Sequence, residues 1–277
     1  MNDTTVICGY ISVSAAIRGG KRRIDRIILD TERYNKVMRS GYHYNEKKQY
    51  GALKASGIRI DFVSPDEFLR FTSGNTAGGI AAEVGERRFC RPEKLLCNIN
   101  GYILVIDGIE DPYNFGYVLR TVYAAGADGV ILPERNFFVS SDIVIRSSAG
   151  ASEYLEVAVT DDLGAAVSLA SAAGYTVAAT AKSKDSVSVY NTVLTRPLCL
   201  ILGGEKRGIS KNVLEKADVT LSIPYPRNCQ YSLSASAAAN IIAFQIGSII
   251  APPDDSGNLA DDDCLGKVPG IIWGSND

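Results

Sequence analysis

Between Tyr102 and Ile223 the chain returns repeatedly to short apolar runs: Tyr102–Ile106, Gly129–Leu132, Leu155–Val159, Tyr175–Thr180, Leu198–Leu202 and Val219–Ile223. Several are continuous rather than alternating, the pattern of strands covered on both faces of a parallel sheet. Helical spacing fills the intervals at Phe115–Ala125, Ser141–Ser147, Asp162–Ala173 and Lys211–Ala217, and a longer helix follows Ser232. Strand and helix in alternation restrict this part of the chain to an α/β fold. Open sheets of that kind bind ligands beyond the carboxyl ends of their strands, so function is to be sought in the loops that leave those ends. The last apolar stretch, Ser232–Ile250, suggests a membrane span. It is at the lower length limit and holds four serines, Asn240 and Gln245, so it reads instead as a packed helix, in the core or at a subunit interface.

The amino-terminal part has the same alternation on a smaller scale. Helices are expected at Ile7–Ile17 (stopped by Gly19-Gly20), Thr31–Ser40, Glu46–Ser56 and after Ser64, with strands at Ile27–Leu29, Arg59–Val63 and Ile80–Val84. The chain therefore divides into a small α/β unit over 1–85, a charged linker over 86–98, a larger α/β domain over 99–251 and a weakly structured acidic tail over 252–277. Charge follows the same division. Residues 1–97 carry 17 Lys/Arg against 11 Asp/Glu, and the remainder 12 against 20. A basic amino-terminal unit on an acidic chain suits a polyanionic partner, most commonly nucleic acid. Lys21, Arg22 and Arg23 in the basic loop, with Arg87 and Arg88 in the linker, are the candidate phosphate contacts; a merely solvated basic surface is the plain alternative. No secretory signal is visible, the six cysteines form no CxxC pair, and there is a single histidine. Those features point to a cytoplasmic protein with reduced thiols and no metal site.

Three loops at strand ends stand out. The first lies in Leu104–Gly126, LVIDGIEDPYNFGYVLRTVYAAG, where Pro112 is expected to bar helix before it and Val118, Leu119, Val122 and Ala125 form a buried stripe. Asp111 or Asn114 supplies the helix cap. Arg120 is not required by capping. The second is LGGEKRGIS, Leu202–Ser210, whose Gly203, Gly204 and Gly208 let backbone approach a ligand closely. The third is IPYPRNCQYSLSAS, Ile223–Ser236, with Ser232 as the expected N-cap of the helix that follows. Each alone is as consistent with a capped turn as with a site. Three of them at strand ends in one domain converge on one edge of the sheet.

Together these segments resemble the ordered motifs of the SpoU/TrmH-type RNA ribose methyltransferases of the SPOUT (α/β-knot) superfamily. DPYNFGYVLRTVYAAG resembles the first motif, RSSAGASEYLEV (Arg146–Val157) the segment after it, LILGGEKRGIS the second motif and IPYPRNCQYSLSASAAANIIAFQ the third. The basic GGKRRIDRIIL and the GGIAAEV strand are similar to the family's ribosomal-protein-like substrate-binding domain. The resemblance implies a trefoil-knotted carboxyl-terminal domain, a homodimer formed through it, S-adenosyl-L-methionine as cofactor, and methyl transfer to a ribose 2′-hydroxyl of RNA, of rRNA or else tRNA. Matched by position, the catalytic set is Asn114, Arg120, Glu205, Ser232 and Ser234. The cofactor set is Leu202, Gly203, Gly204, Gly208, Ile223, Pro224, Ser232 and Leu233. The chain departs from the family at one place: it reads Ser232-Leu233-Ser234, where the third residue is normally Asn. Serine has less reach and one donor fewer. That departure leaves an alternative, an RNA-binding protein on the same fold that no longer catalyses.

Overall fold

The computed structural model describes residues 5–72, 77–134, 141–228 and 231–250. The acidic tail, Cys229 and Cys264 lie outside them. Strands β1 (Thr5–Cys8), β2 (Ile24–Asp30), β3 (Ile60–Val63) and β4 (Ile80–Val84) form a sheet in the order β1-β4-β2-β3, antiparallel except for β2 beside β3. Around it lie α1 (Tyr10–Gly19), α2 (Thr31–Arg39), α3 (Tyr44–Ala55) and α4 (Pro65–Phe71). Two expectations are corrected here. Ile7 and Cys8 are strand rather than helix, paired with Ala82 and Ala81, and α1 starts only after Gly9. At φ 86° Gly9 holds a backbone conformation that side chains disfavour, which separates the two elements. The strand expected at Ile27–Leu29 begins at Ile24, because Arg26 sits opposite Glu83 in β4 and pairs with Glu83 and Asp61.

The second sheet is wholly parallel. Its strands are β5 (Tyr102–Asp107), β6 (Gly129–Pro133), β7 (Glu156–Thr160), β8 (Thr176–Thr180), β9 (Val187–Ser188), β10 (Leu198–Gly203) and β11 (Val219–Ser222), in the order β7-β6-β5-β10-β8-β11-β9. Helices α5 (Pro92–Leu96), α6 (Pro112–Ala124), α7 (Asp142–Ser147), α8 (Ala151–Tyr154), α9 (Leu163–Ala172), α10 (Lys211–Leu214) and α11 (Ala235–Ile250) complete the unit. Every residue of β5 is buried. Leu104 and Ile106 face a core with Phe115, Leu119 and Ile242, while Ile103 and Val105 face another with Val167 and Ala170. Two covered faces account for the continuous apolar runs. In α11, Ala239, Ile242, Ala243 and Ile246 are buried, and a Cβ on Gly247 would stand 2.7 Å from the Ala125 carbonyl oxygen. This is a core-packed helix; no described helix is long and apolar enough to cross a membrane.

The two sheets are joined by an extensive polar seam. Arg22 donates to both carboxylate oxygens of Glu153, at 2.9 and 2.7 Å, and Arg87 donates to the same carboxylate at 3.1 Å and to the Leu155 carbonyl at 2.7 Å. The side chains of Arg22, Arg87 and Glu153 are all but completely buried. Lys21 pairs with Glu156, and Asp142 accepts the Cys8 N–H at 2.7 Å. The chain over 86–98 is bonded along this seam: Arg88 N–H donates to the Lys21 carbonyl, and Cys90 bridges to the edge strand β7.

Candidate active site

The site is assembled where β5, β10 and β11 end. Helix α6 begins at Pro112 rather than after it, with Asp111 as N-cap accepting the Asn114 N–H at 2.7 Å. Proline in the first helical position lacks only an N–H that the helix does not use. Gly108, at φ 84°, turns the chain off β5 and against the next loop. There the Gly204 N–H donates to the Asp107 carbonyl and the Ser210 N–H to the Asp107 carboxylate, both at 2.8 Å. A Cβ on Gly204 would lie 1.9 Å from the Gly108 oxygen, and one on Gly203 2.7 Å from the backbone of Gly208. At those two glycines the absence of a side chain lets backbone pack against backbone. Gly208 alone of the three has open space at the Cβ position.

Side chains then tie the loops together. Glu205 Oε1 accepts from Asn114 Nδ2 at 3.1 Å and from the Ala235 N–H of α11 at 3.0 Å. Ser236 Oγ donates to Asn114 Oδ1 at 3.2 Å. The Asn114 amide is thus held at both ends. Ser234, not Ser232, caps α11: its Oγ accepts the Ala237 N–H at 3.1 Å and lies 3.1 Å from Ser236 Oγ. Ser232 is exposed and lies two residues ahead of the cap, too early to reach the free amides of a helix that starts at Ala235. Leu233 N–H donates to the Tyr225 hydroxyl at 3.0 Å, Ile223 packs on the core, Leu202 is buried and Pro224 is exposed.

Arg120 is exposed and makes no hydrogen bond or ion pair among the described residues. It lies six residues beyond Asn114 on α6, about 9 Å along the axis, and shares an exposed face with Tyr113 and Tyr117. The structure thus gathers Asn114, Glu205 and Ser234 and leaves Arg120 beside the cluster with its guanidinium unengaged. Ser236 and Tyr225 join the set unforeseen; the sequence signal for Ser236 is a hydroxyl in the first turn of the last helix.

The basic candidates are corrected more heavily. Arg22 and Arg87 are interior residues of the seam, and burial pushes the Arg87 guanidinium below its ordinary value. A guanidinium spent on a buried carboxylate cannot meet a phosphate. Lys21 is paired with Glu156, Arg88 donates to the Gly20 carbonyl, and Arg23 pairs with Asp25 at 2.5 Å.

The SpoU rRNA methylase family model matches residues 101–244. A Staphylococcus aureus protein assigned by name to the TrmH family of tRNA/rRNA methyltransferases is 33% identical over 253 residues, 88% of this chain and 96% of that one. An uncharacterised tRNA/rRNA methyltransferase of Synechocystis is 28% identical over 246 residues, 87% of this chain; the chain spans 62% of that relative's length, and 57% of two other staphylococcal relatives. In fold the chain is similar to an AdoMet-bound rRNA methyltransferase from Sinorhizobium meliloti, with a TM-score of 0.71, 20% identity, and 88% of this chain and 86% of that one covered.

Proposed function

The chain belongs to the SpoU rRNA methylase family, and from that premise we propose that it transfers a methyl group from S-adenosyl-L-methionine to a ribose 2′-hydroxyl of RNA, in rRNA or tRNA. The observation that carries this reading is the Asn114–Glu205–Ala235 link, which draws the ends of three separate motifs into one cluster.

The residues fit the cofactor. Buried Leu202 and core-packed Ile223 offer an apolar wall, the open side of Gly208 leaves backbone accessible, and Leu233 is fixed through its N–H. Apolar walls with a few placed polar groups are what a purine-bearing ligand requires. When bound, the cofactor supplies a methyl group on a sulfonium, an electrophile with a good leaving group. Positioning and exclusion of water then carry much of the rate. Glu205 accepts from two donors at Oε1, so it positions Asn114 and the start of α11. Arg120 clamps the phosphate next to the target ribose and stabilises the developing alkoxide, because a guanidinium stays protonated. The only histidine, His43, is in the amino-terminal unit.

Two further features belong to the proposal. The carboxyl-terminal domain is read as knotted, a reading supported by α11, which follows β11 at one side of the sheet yet packs on α6 and β10 nearer its middle. The protein is a homodimer through that domain, with exposed Tyr113 and Tyr117 on α6 set against the second copy and Arg120 left open to the RNA beside them. Calorimetric titration with S-adenosyl-L-methionine tests the function. Micromolar binding is expected; no binding at all would leave an RNA-binding protein on this fold. Arg120→Lys should keep the cofactor affinity and lose turnover by a factor on the order of a hundred.

A further inference from the structure

Of the five cations that the sequence offered to RNA, Lys21, Arg22, Arg87 and Arg88 are bonded along the seam and Arg23 pairs with Asp25, so cations without a partner are to be sought elsewhere. In residues 5–97, the lysines and arginines that engage no partner among the described residues are Lys36, Arg39, Lys47, Lys48, Arg70 and Arg91. Four of these fall within one short stretch, the end of α2 and the start of α3. The turn between the helices carries two aromatic rings with nothing packed on them: Tyr42 is 97% exposed and Tyr44 76%. Within the turn the Tyr42 N–H donates to Ser40 Oγ at 3.1 Å. Its single acid, Glu46, pairs with Arg33 at 3.1 Å.

Solvated tyrosines among unpaired cations match the needs of single-stranded nucleic acid. Bases stack on aromatic faces while lysines and arginines follow the backbone. A duplex hides its bases and offers the rings nothing. We propose that the α2–α3 turn is a stacking platform for unpaired nucleotides of the RNA substrate, with Tyr42 and Tyr44 as the faces and Lys36, Arg39, Lys47 and Lys48 as the phosphate contacts. This rests on the reading of the chain as an RNA methyltransferase.

The test uses the full chain and fluorescence anisotropy with a labelled 20-nucleotide single-stranded oligouridylate and a blunt RNA duplex of equal length. The wild type should prefer the single strand. Tyr42→Ala/Tyr44→Ala should weaken single-strand binding about tenfold to a hundredfold, while Tyr42→Phe/Tyr44→Phe retains it. Lys36→Gln/Arg39→Gln/Lys47→Gln/Lys48→Gln should flatten the salt dependence. Unchanged single-strand affinity in the double alanine variant overturns the proposal, as does a wild type that prefers duplex. A double alanine variant that keeps its RNA affinity but changes sedimentation assigns the patch to protein contact instead. Calorimetry with S-adenosyl-L-methionine on the same variants separates the two readings: intact cofactor binding with unaltered RNA binding sinks the platform alone, and absent cofactor binding in the wild type sinks the methyltransferase.

Discussion

Replacing Glu153 by glutamine isolates what holds the two units together. The side chain keeps its shape and loses its charge, leaving Arg22 and Arg87 buried against a neutral amide that cannot accept from both as a carboxylate does. Arg87 already has one buried nitrogen, Nε, without a hydrogen-bond partner. Removing the carboxylate that both buried guanidinium groups bond costs about 3–5 kcal/mol. For a chain of this size that is a fall in melting temperature of roughly 6–20 °C. Urea unfolding monitored by circular dichroism, with limited proteolysis across residues 86–98, reads both stability and docking. We expect Glu153→Gln to unfold at lower urea and to be cut between the units. Lys21→Ala, which removes a partly exposed pair, should cost less than about 1 kcal/mol. The triple replacement Arg22→Met/Glu153→Leu/Arg87→Met should recover most of the loss, because apolar residues of similar volume replace buried ions at little cost. A loss below about 1 kcal/mol in Glu153→Gln, with the linker still protected, would refute the reasoning.

Other outcomes follow from single contacts. Ser234→Ala removes the N-cap of α11 and should cost about 1 kcal/mol, whereas Ser234→Asn restores the residue usual in the family and should keep both stability and methyl transfer, measured side by side. Gly204→Ala forces a Cβ to within 1.9 Å of the Gly108 oxygen, so the two loops must part; loss of cofactor binding by calorimetry, with far-UV circular dichroism retained, is the expected result. In the seam, the hydrogen bond from Lys21 holds the Glu156 carboxyl below the usual carboxylate range. A lowered folded-state value means that the pair's contribution is complete above the unfolded value of about 4.3 and fades as pH falls through the folded one. The stability difference between wild type and Glu156→Gln should therefore hold from pH 7 to pH 5 and close in more acidic solution.

Much of the architecture was legible because it is written in periodicity. The continuous runs at Tyr102–Ile106 and Leu198–Leu202 are central strands β5 and β10, and the stripe Val118, Leu119, Val122 is the buried face of α6. Boundaries were lost where one residue's conformation decides them. Gly9 separates a strand from a helix that share one apolar run, and Pro112 starts α6 instead of preceding it. The cap of α11 was misplaced by two residues because both Ser232 and Ser234 carry the right hydroxyl, and only the folded loop decides which meets the Ala237 amide. Charge was the least readable feature. Arg22, Arg23 and Lys21 look alike in a basic loop, yet Arg22 is interior, Lys21 lies at the edge of the seam and Arg23 pairs locally with Asp25, since the partners of Arg22 and Lys21, Glu153 and Glu156, lie more than a hundred residues away. No local pattern encodes such a pairing. The second glycine-rich loop was legible as glycine-rich but not as backbone packed on backbone, because that requires knowing that β5 and β10 are neighbours.

The central claim is methyl transfer to a ribose hydroxyl, and alkali tests it most directly. A 2′-O-methyl group removes the nucleophile through which hydroxide cleaves the adjacent phosphodiester, so the modified linkage survives as a dinucleotide. Total RNA lacking the modification should be incubated with the protein and S-adenosyl-L-methionine labelled in the methyl group, hydrolysed in alkali, and separated by chain length. The account predicts label in alkali-resistant dinucleotides, reduced at least a hundredfold by Arg120→Lys. Label confined to mononucleotides would mean methylation of a base, and a protein that binds the cofactor yet labels no RNA would contradict the account.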